Sequence, residues 1–210
     1  TPLIHQIIAL LALLSIAIGN FTALVQKDLR RLLAYSTISH MGYAILGFVA
    51  GGAVGQSAAL FYLMTYTLMT ILAFATVIIP KFHEDFILNI DNLRGLAKRS
   101  PWLAAMLMIV FFSMAGVPPA IGFFAKFFVI RSLVNTGYIA YASIALLLAV
   151  VGAFYYLNLI RLMYFEASEQ QVGVVEVSPF TRVVFMIQAI AILALGLFPN
   201  LLVSMSLQAF

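Results

Sequence analysis

Uncharged stretches longer than a bilayer is thick constrain this chain more than any other feature. Lys, Arg, Asp and Glu are absent over Thr1–Gln26, Leu32–Pro80, Ser100–Ala125, Ser132–Ile160 and Val183–Phe210. About 20 apolar residues, each rising 1.5 Å, cross a hydrocarbon core. The second stretch is long enough for two spans, which Gly51, Gly52, Gly55 and Gln56 divide. A soluble domain carries roughly 25% charged residues, whereas this chain has 9% charged and 64% hydrophobic. The expected fold class is therefore all-α integral membrane, with about six transmembrane helices. They are A, about 3–25; B, 30–50; C, 55–79; D, 101–136; E, 138–164; and F, 179–208.

The basic residues set the orientation. With six spans, Lys27, Arg30, Arg31, Lys81, Arg94, Lys98, Arg99, Arg161 and Arg182 share one face, and the opposite face keeps only Arg131. The A/B, C/D and E/F loops are expected to be cytoplasmic and both termini external. All seven acidic residues lie on that same basic side, so the net charge there is too small for a nucleic-acid site. With zero cysteines, disulfides, thiolate metal sites, iron–sulfur clusters and cysteine nucleophiles are excluded together. His5, His40 and His83 have no spacing that would close a metal site. No GxGxxG, Walker or GxSxG element is present. Redox or hydrolytic chemistry is not expected within this chain. The start at Thr1-Pro2, without Met or a signal peptide, suggests a fragment or a processed chain.

Helix D carries the chemistry. Ser100-Pro101 reads as its N-cap and first residue, and Ser178-Pro179 opens helix F in the same way. A continuous helix over 101–136 would be about 54 Å long, well beyond a core of about 30 Å. Gly116-Val117-Pro118-Pro119 is the place for a break, because proline removes backbone donors and pushes the preceding residue out of helical geometry. Beyond the break lies Lys126, the one ammonium in the run GVPPAIGFFAKFFVIRSL. Counted back from Gly137 it lies about 16 Å in, close to the bilayer centre. A hairpin of two short spans is the alternative, but it moves Arg161 and Arg182 outside.

A charge at membrane depth beside a broken helix marks a functional site by default. Burial disfavours the ammonium and a nearby carboxylate favours it, so the approach and withdrawal of an anion would switch Lys126 between holding and releasing a proton. No Asp or Glu lies within the spans, so that anion must come from elsewhere. The structural alternative is that Lys126 snorkels, or bonds carbonyls freed at the break. Ser36, His40 and Tyr43 share one face of B, and Tyr62, Tyr66 and Thr70 one face of C. Such rows can line a water file, with His40 a candidate relay, or can serve as interhelical glue. Gly47, Gly51 and Gly55 form a small-residue row suited to close helix approach. Phe123, Phe124, Phe127 and Phe128 would help to dry the lysine's surroundings.

Three runs carry a family resemblance: GNFTALVQKDLRRLLAYSTISHMGYAILGF, SMAGVPPAIGFFAKFF and VGAFYYLNLIRLMYF. Together they resemble the antiporter-like membrane subunits of respiratory complex I (NADH:quinone oxidoreductase), most closely the bacterial N type. The resemblance covers essentially the whole chain. It implies the second half of a fold of about fourteen spans with two inverted five-helix repeats, each with a discontinuous helix. On that basis residues 1–165 look like the second repeat with its broken helix over 101–136, and 166–210 like the E/F loop and the last span. Lys126 looks like the proton-carrying lysine of the second broken helix, and Val117, Pro118 and Pro119 like its unwound segment. Tyr62 and Tyr66 stand where the most distal family member has histidines, which favours the N type.

The function so implied is proton translocation coupled to NADH oxidation and quinone reduction. The chain itself would hold no cofactor or metal; NADH, FMN, iron–sulfur clusters and quinone are expected in other subunits. The implied partners are the missing N-terminal repeat, other complex I membrane subunits, a neighbouring antiporter-like subunit supplying a glutamate, and the lipid bilayer. The implied location is the bacterial cytoplasmic (inner) membrane. A secondary cation/proton antiporter subunit of the Mrp kind and a purely structural membrane subunit are the alternatives.

Overall fold

Each long apolar run closes its backbone hydrogen bonds within itself, the only arrangement a single segment can adopt in hydrocarbon. In the computed structural model, which describes residues 2–78, 89–167, 178–200 and 206, the helices are α1 (Pro2–Leu24), α2 (Leu29–Ala50), α3 (Gly52–Ile78), α4 (Leu96–Arg99), α5 (Pro101–Ala115), α6 (Ile121–Asn135), α7 (Ile139–Phe165) and α8 (Pro179–Leu197). Five of them, α1, α2, α3, α7 and α8, are long and apolar enough to cross a membrane. Helices α5 and α6 have 15 residues each, about 22 Å apiece and short of a full crossing. Joined through residues 116–120 they make the expected discontinuous span. Many large side chains that face outward are aliphatic or aromatic, among them Leu147, Phe154 and Ile190, a surface suited to lipid rather than water.

The element boundaries follow local chemistry. Gly51 and Gly52 have φ of 70° and 61°, a left-handed turn that lets α3 start directly after α2, three residues earlier than the sequence suggests. Gly51 thus makes the turn, while Gly47 and Gly55 give close approach: a Cβ on Gly47 would lie 2.9 Å from the Ala59 Cβ, and one on Gly55 2.7 Å from the Gly47 carbonyl oxygen. Ser178 caps α8 by accepting the Thr181 N–H at 3.2 Å, whereas Ser100 makes no side-chain cap bond on α5. Helix F was expected over 179–208; Asn200 and Ser206 are helical and 201–205, 207 and 208 lie outside the described residues, but α8 itself stops at Leu197. The physical reason is Pro199, which excludes the residue before it from helical geometry; Phe198 has φ −124° and ψ 63°. The end of helix C at 79 and His83 lie outside the described residues.

One end of the bundle gathers the loops that the charge pattern assigned to a common face. Asp28 caps α2 by accepting the Arg31 N–H at 3.1 Å. The A/B turn pairs with the chain entering α4 through an isolated antiparallel bridge between Asp28 and Asn89, and the Ile90 N–H donates to the Lys27 carbonyl at 2.9 Å. Gly95 donates to the Leu162 carbonyl of α7 at 3.1 Å. Glu166 pairs with both Arg94 and Arg161. The three loops therefore meet at one end, as the orientation argument requires.

Helix α8 rests on the break between α5 and α6. A Cβ on Gly196 would overlap the Pro119 carbonyl oxygen and come within 2.7 Å of the Ile121 nitrogen and 2.9 Å of the Ala120 carbonyl carbon. All of these are backbone atoms and cannot rotate aside. Gly196→Val is therefore expected to destabilise the protein by about 1–3 kcal/mol through overpacking, read as a lower melting temperature of the solubilised, assembled protein. An unchanged melting temperature would contradict this packing.

Candidate functional site

An α-helix ends with carbonyls that have no intrahelical partner, and in hydrocarbon they cannot turn to water. At the end of α5, Gly116 adopts φ 84° and returns its N–H to Phe112 and Ser113 at 3.2 and 3.0 Å. Val117 donates to the Phe112 carbonyl at 3.1 Å, and Pro118 and Pro119 have no N–H to offer. The carbonyls of Met114 and Ala115 are satisfied from the next helix. The Lys126 Nζ donates to them at 3.0 and 2.9 Å. The negative end of the α5 dipole thus faces an ammonium held on α6.

A glycine suits the position beneath that lysine. A Cβ at position 116 would stand 3.1 Å from Lys126 Cδ and 3.3 Å from Nζ, and the left-handed backbone is itself strained for other residues. Ser113 ties the break to α3 and α6: its hydroxyl meets the Met69 sulfur at 3.0 Å and accepts the Gly122 N–H at 3.2 Å. Lys126 is 8% exposed, so it does not snorkel to a surface. Its ammonium lies 5.9 Å from the Tyr43 ring centroid, at the outer limit of a cation–π contact.

His40 lies in a cage of tyrosines. Its Nδ1 meets the Tyr62 hydroxyl at 2.7 Å and its Nε2 the Tyr156 hydroxyl at 3.4 Å, and its ring stacks on Tyr66 with centroids 4.7 Å apart. A neutral imidazole has one donor and one acceptor, and a tyrosine hydroxyl can serve as either, so Tyr62, His40 and Tyr156 form a continuous polar chain. The expected rows therefore meet face to face: Tyr62 and Tyr66 of α3 both touch His40 of α2. Tyr66 donates to Thr37 Oγ1 at 2.7 Å, and Tyr43 to the Ala145 carbonyl at 2.7 Å.

The lysine and the histidine line the same internal cavity, about 10 Å³ in volume, together with Asn20, Ser39, Tyr43, Tyr155 and Tyr156. That volume and polar lining suit about one water molecule. Asn20, Ser39, Tyr155 and Tyr156 are polar site residues that sequence reasoning did not single out. Asn20 is 1% exposed; it donates to the Leu148 carbonyl at 2.8 Å and accepts from the Tyr155 hydroxyl at 3.3 Å. An amide deep in the apolar first helix, well away from His5 and Gln6 at its start, was a readable signal. Gly152 makes room for it, since a Cβ there would lie 3.2 Å from its Oδ1.

Other expected features lie apart from this cavity. The phenylalanines of α6 stack along that helix, Phe123 on Phe127 at 6.0 Å, and Phe128 meets Phe61 of α3 at 5.2 Å. Phe127 is exposed. The dry surroundings of Lys126 come instead from the interhelical packing of α2, α5, α6 and α7. Val117, Pro118 and Pro119 form the connection itself, with both prolines exposed. No group of three His, Asp or Glu suited to a metal occurs among the described residues.

The chain is similar to known membrane proteins over nearly its whole length. Residues 1–154 match the family described as NADH:quinone oxidoreductase/Mrp antiporter, transmembrane. The NADH-quinone oxidoreductase subunit N of Nitrosomonas europaea is 45% identical over 205 residues, covering 96% of this chain and 42% of that one. The corresponding subunit of Coxiella burnetii is 41% identical over 206 residues, covering 98% and 43%. The chain thus spans less than half the length of these curated relatives. Among solved structures, a chain of respiratory complex I from Thermus thermophilus with bound aureothin superposes with a TM-score of 0.82 at 34% identity, over 95% of this chain and 45% of that one. A chain of the Mrp complex from Dietzia sp. gives a TM-score of 0.82 at 22% identity, over 98% and 46%, a likeness of fold alone.

The short Tyr62 bond should be the structural keystone of the histidine cage. Tyr62→Phe leaves the buried His40 Nδ1 without its 2.7 Å partner, an expected loss of about 1–3 kcal/mol. The check is a melting comparison with Tyr155→Phe, whose hydroxyl makes the longer 3.3 Å bond and whose loss should cost less.

Proposed function

Because this chain belongs to the NADH:quinone oxidoreductase/Mrp antiporter transmembrane family, we propose that it is part of a proton-translocating membrane subunit of an NADH:quinone oxidoreductase, with Lys126 as its central proton carrier. The observation that carries this reading is that Lys126 and His40 line one small cavity beside the helix break.

In the loaded state the Lys126 ammonium donates to the Met114 and Ala115 carbonyls, which leaves the third of its three N–H groups for the cavity. A water of the size that the cavity admits would link it to the imidazole. His40 can take a proton on one ring nitrogen while its other nitrogen donates to a tyrosine, so the Tyr156, His40 and Tyr62 hydroxyl–imidazole chain offers an exit from the cavity. Withdrawal of a neighbouring carboxylate would favour release, and its approach would favour retention. That carboxylate is assigned to a glutamate of a neighbouring antiporter-like subunit. The preceding repeat, with its own lysines, is assigned to the remainder of the protein, and residues 1–165 to the second repeat. NADH, FMN, iron–sulfur clusters and quinone belong to other subunits in this reading. The loop end with its basic residues faces the cytoplasm of a bacterial inner membrane.

A competing reading has a specific observation behind it. Lys126 could serve only to cap α5, since both of its hydrogen bonds go to carbonyls at the break. Lys126→Gln separates the two, because an amide can donate to the same carbonyls but cannot carry a proton. In the full-length complex, Lys126→Gln and Lys126→Ala are both expected to lower coupled proton pumping and quinone reductase turnover by about tenfold or more, equivalent to about 1.4 kcal/mol of barrier, with assembly retained. Lys126→Arg should fail as well, because a guanidinium does not release its proton near neutrality. Wild-type pumping in Lys126→Gln would leave capping as the whole role. Sodium/proton exchange without any redox activity in the intact complex would instead move the chain to the Mrp kind.

A further inference from the structure

At the end of the bundle opposite the ion-paired loops, α3 and α6 leave a cavity of about 260 Å³ between them. Its walls are stripes at helical spacing: Ser57 and Phe61 on α3 face Phe128, Arg131, Ser132 and Asn135 on α6. Helix α3 enters the membrane at this end and α6 leaves it here. In both walls the polar residues therefore lie toward the membrane surface and the aromatic ones deeper. The Phe61 and Phe128 rings close the floor edge-to-face, 5.2 Å apart at 90°. Ser57 is buried in the wall, its hydroxyl 2.9 Å from that of Ser206.

Arg131 is the single basic residue on this side of the sequence. It is exposed, and among the described residues it makes no ion pair. Among the described residues no acidic side chain lines the cavity. A guanidinium at the membrane surface, with an amide and hydroxyls beside it, suits a phosphodiester, which it can bond through two parallel N–H groups. Basic pockets between transmembrane helices hold anionic headgroups on this principle. The aromatic floor suits hydrocarbon, the exposed Val54 lines the mouth, and Val134 is exposed on α6. The volume is slightly below that of clefts which enclose a whole small ligand, about 300–1,000 Å³. It fits a headgroup and the first part of one acyl chain.

We propose that this cavity binds one anionic phospholipid, its phosphodiester on Arg131 and Asn135 and the first part of one acyl chain resting on Phe61 and Phe128. A free anion would make no use of the aromatic floor, and a zwitterionic lipid would neutralise Arg131 less well.

The test uses the intact complex in nanodiscs of phosphatidylcholine doped with phosphatidylglycerol that carries a photoreactive acyl chain, with labelled peptides mapped by mass spectrometry. Labelling is expected within residues 52–61 and 121–135, displaced by unlabelled phosphatidylglycerol but not by inorganic phosphate. Arg131→Gln should lower it about tenfold, the loss of a charge-assisted bond, and Arg131→Lys by less. Val54→Trp, which narrows the mouth with the charge intact, should lower it as well. Equal labelling by a photoreactive phosphatidylcholine, equal labelling of Arg131→Gln, displacement by inorganic phosphate or the absence of label from both stretches would each overturn the proposal.

Discussion

Two hydrogen bonds from one lysine to the end of a broken helix underlie the rest of this structure. A membrane-buried chain can interrupt a helix only where something else meets the freed carbonyls, and here Lys126 meets those of Met114 and Ala115. The interruption in turn gives the lysine its reason to stay in a dry interior. An ammonium without partners would be driven to a surface or to neutrality. Break and charge therefore stabilise each other, and loss of either exposes the other to hydrocarbon.

The surrounding helices are shaped to that pair. Gly116 leaves space under the lysine stem, Gly122 lets α6 lie against Ser113, and Gly196 lets α8 lie against the Pro119 carbonyl. Each close approach removes a side chain where backbone must meet backbone, the usual way for membrane helices to pack. On the other side of the lysine the polar groups are paired at close range: His40 with Tyr62, Tyr66 with Thr37, Tyr43 with Ala145, Asn20 with Leu148. A polar network of this kind holds its shape because an unmade bond in low dielectric is costly.

Sequence reasoning located the candidate site better than it described it. The Pro-Pro pair and the lone lysine were legible because both violate what a continuous apolar helix tolerates. His40 and the Tyr62/Tyr66 row were legible from helical spacing. That they face each other was not, since the rotation of two separate helices depends on packing rather than on either period. Tyr156 and Asn20 went unnoticed because they stand 116 and 20 positions from His40 in the chain, and no local pattern ties such distant residues together. Helix F was read as unbroken, whereas Pro199 interrupts it after Leu197 before helical geometry resumes at Asn200.

By itself, then, the sequence determined the environment, the number of crossings, the shared end of the basic loops, the site of the break and the identity of the buried charge. These follow from transfer free energies and from proline's missing donor, which act residue by residue. The tertiary structure decided what the charge touches, that a histidine shares its cavity, and that a polar-topped, aromatic-floored pocket opens between α3 and α6. Those depend on how helices are rotated and how closely they approach, and that is fixed only when all of them pack at once.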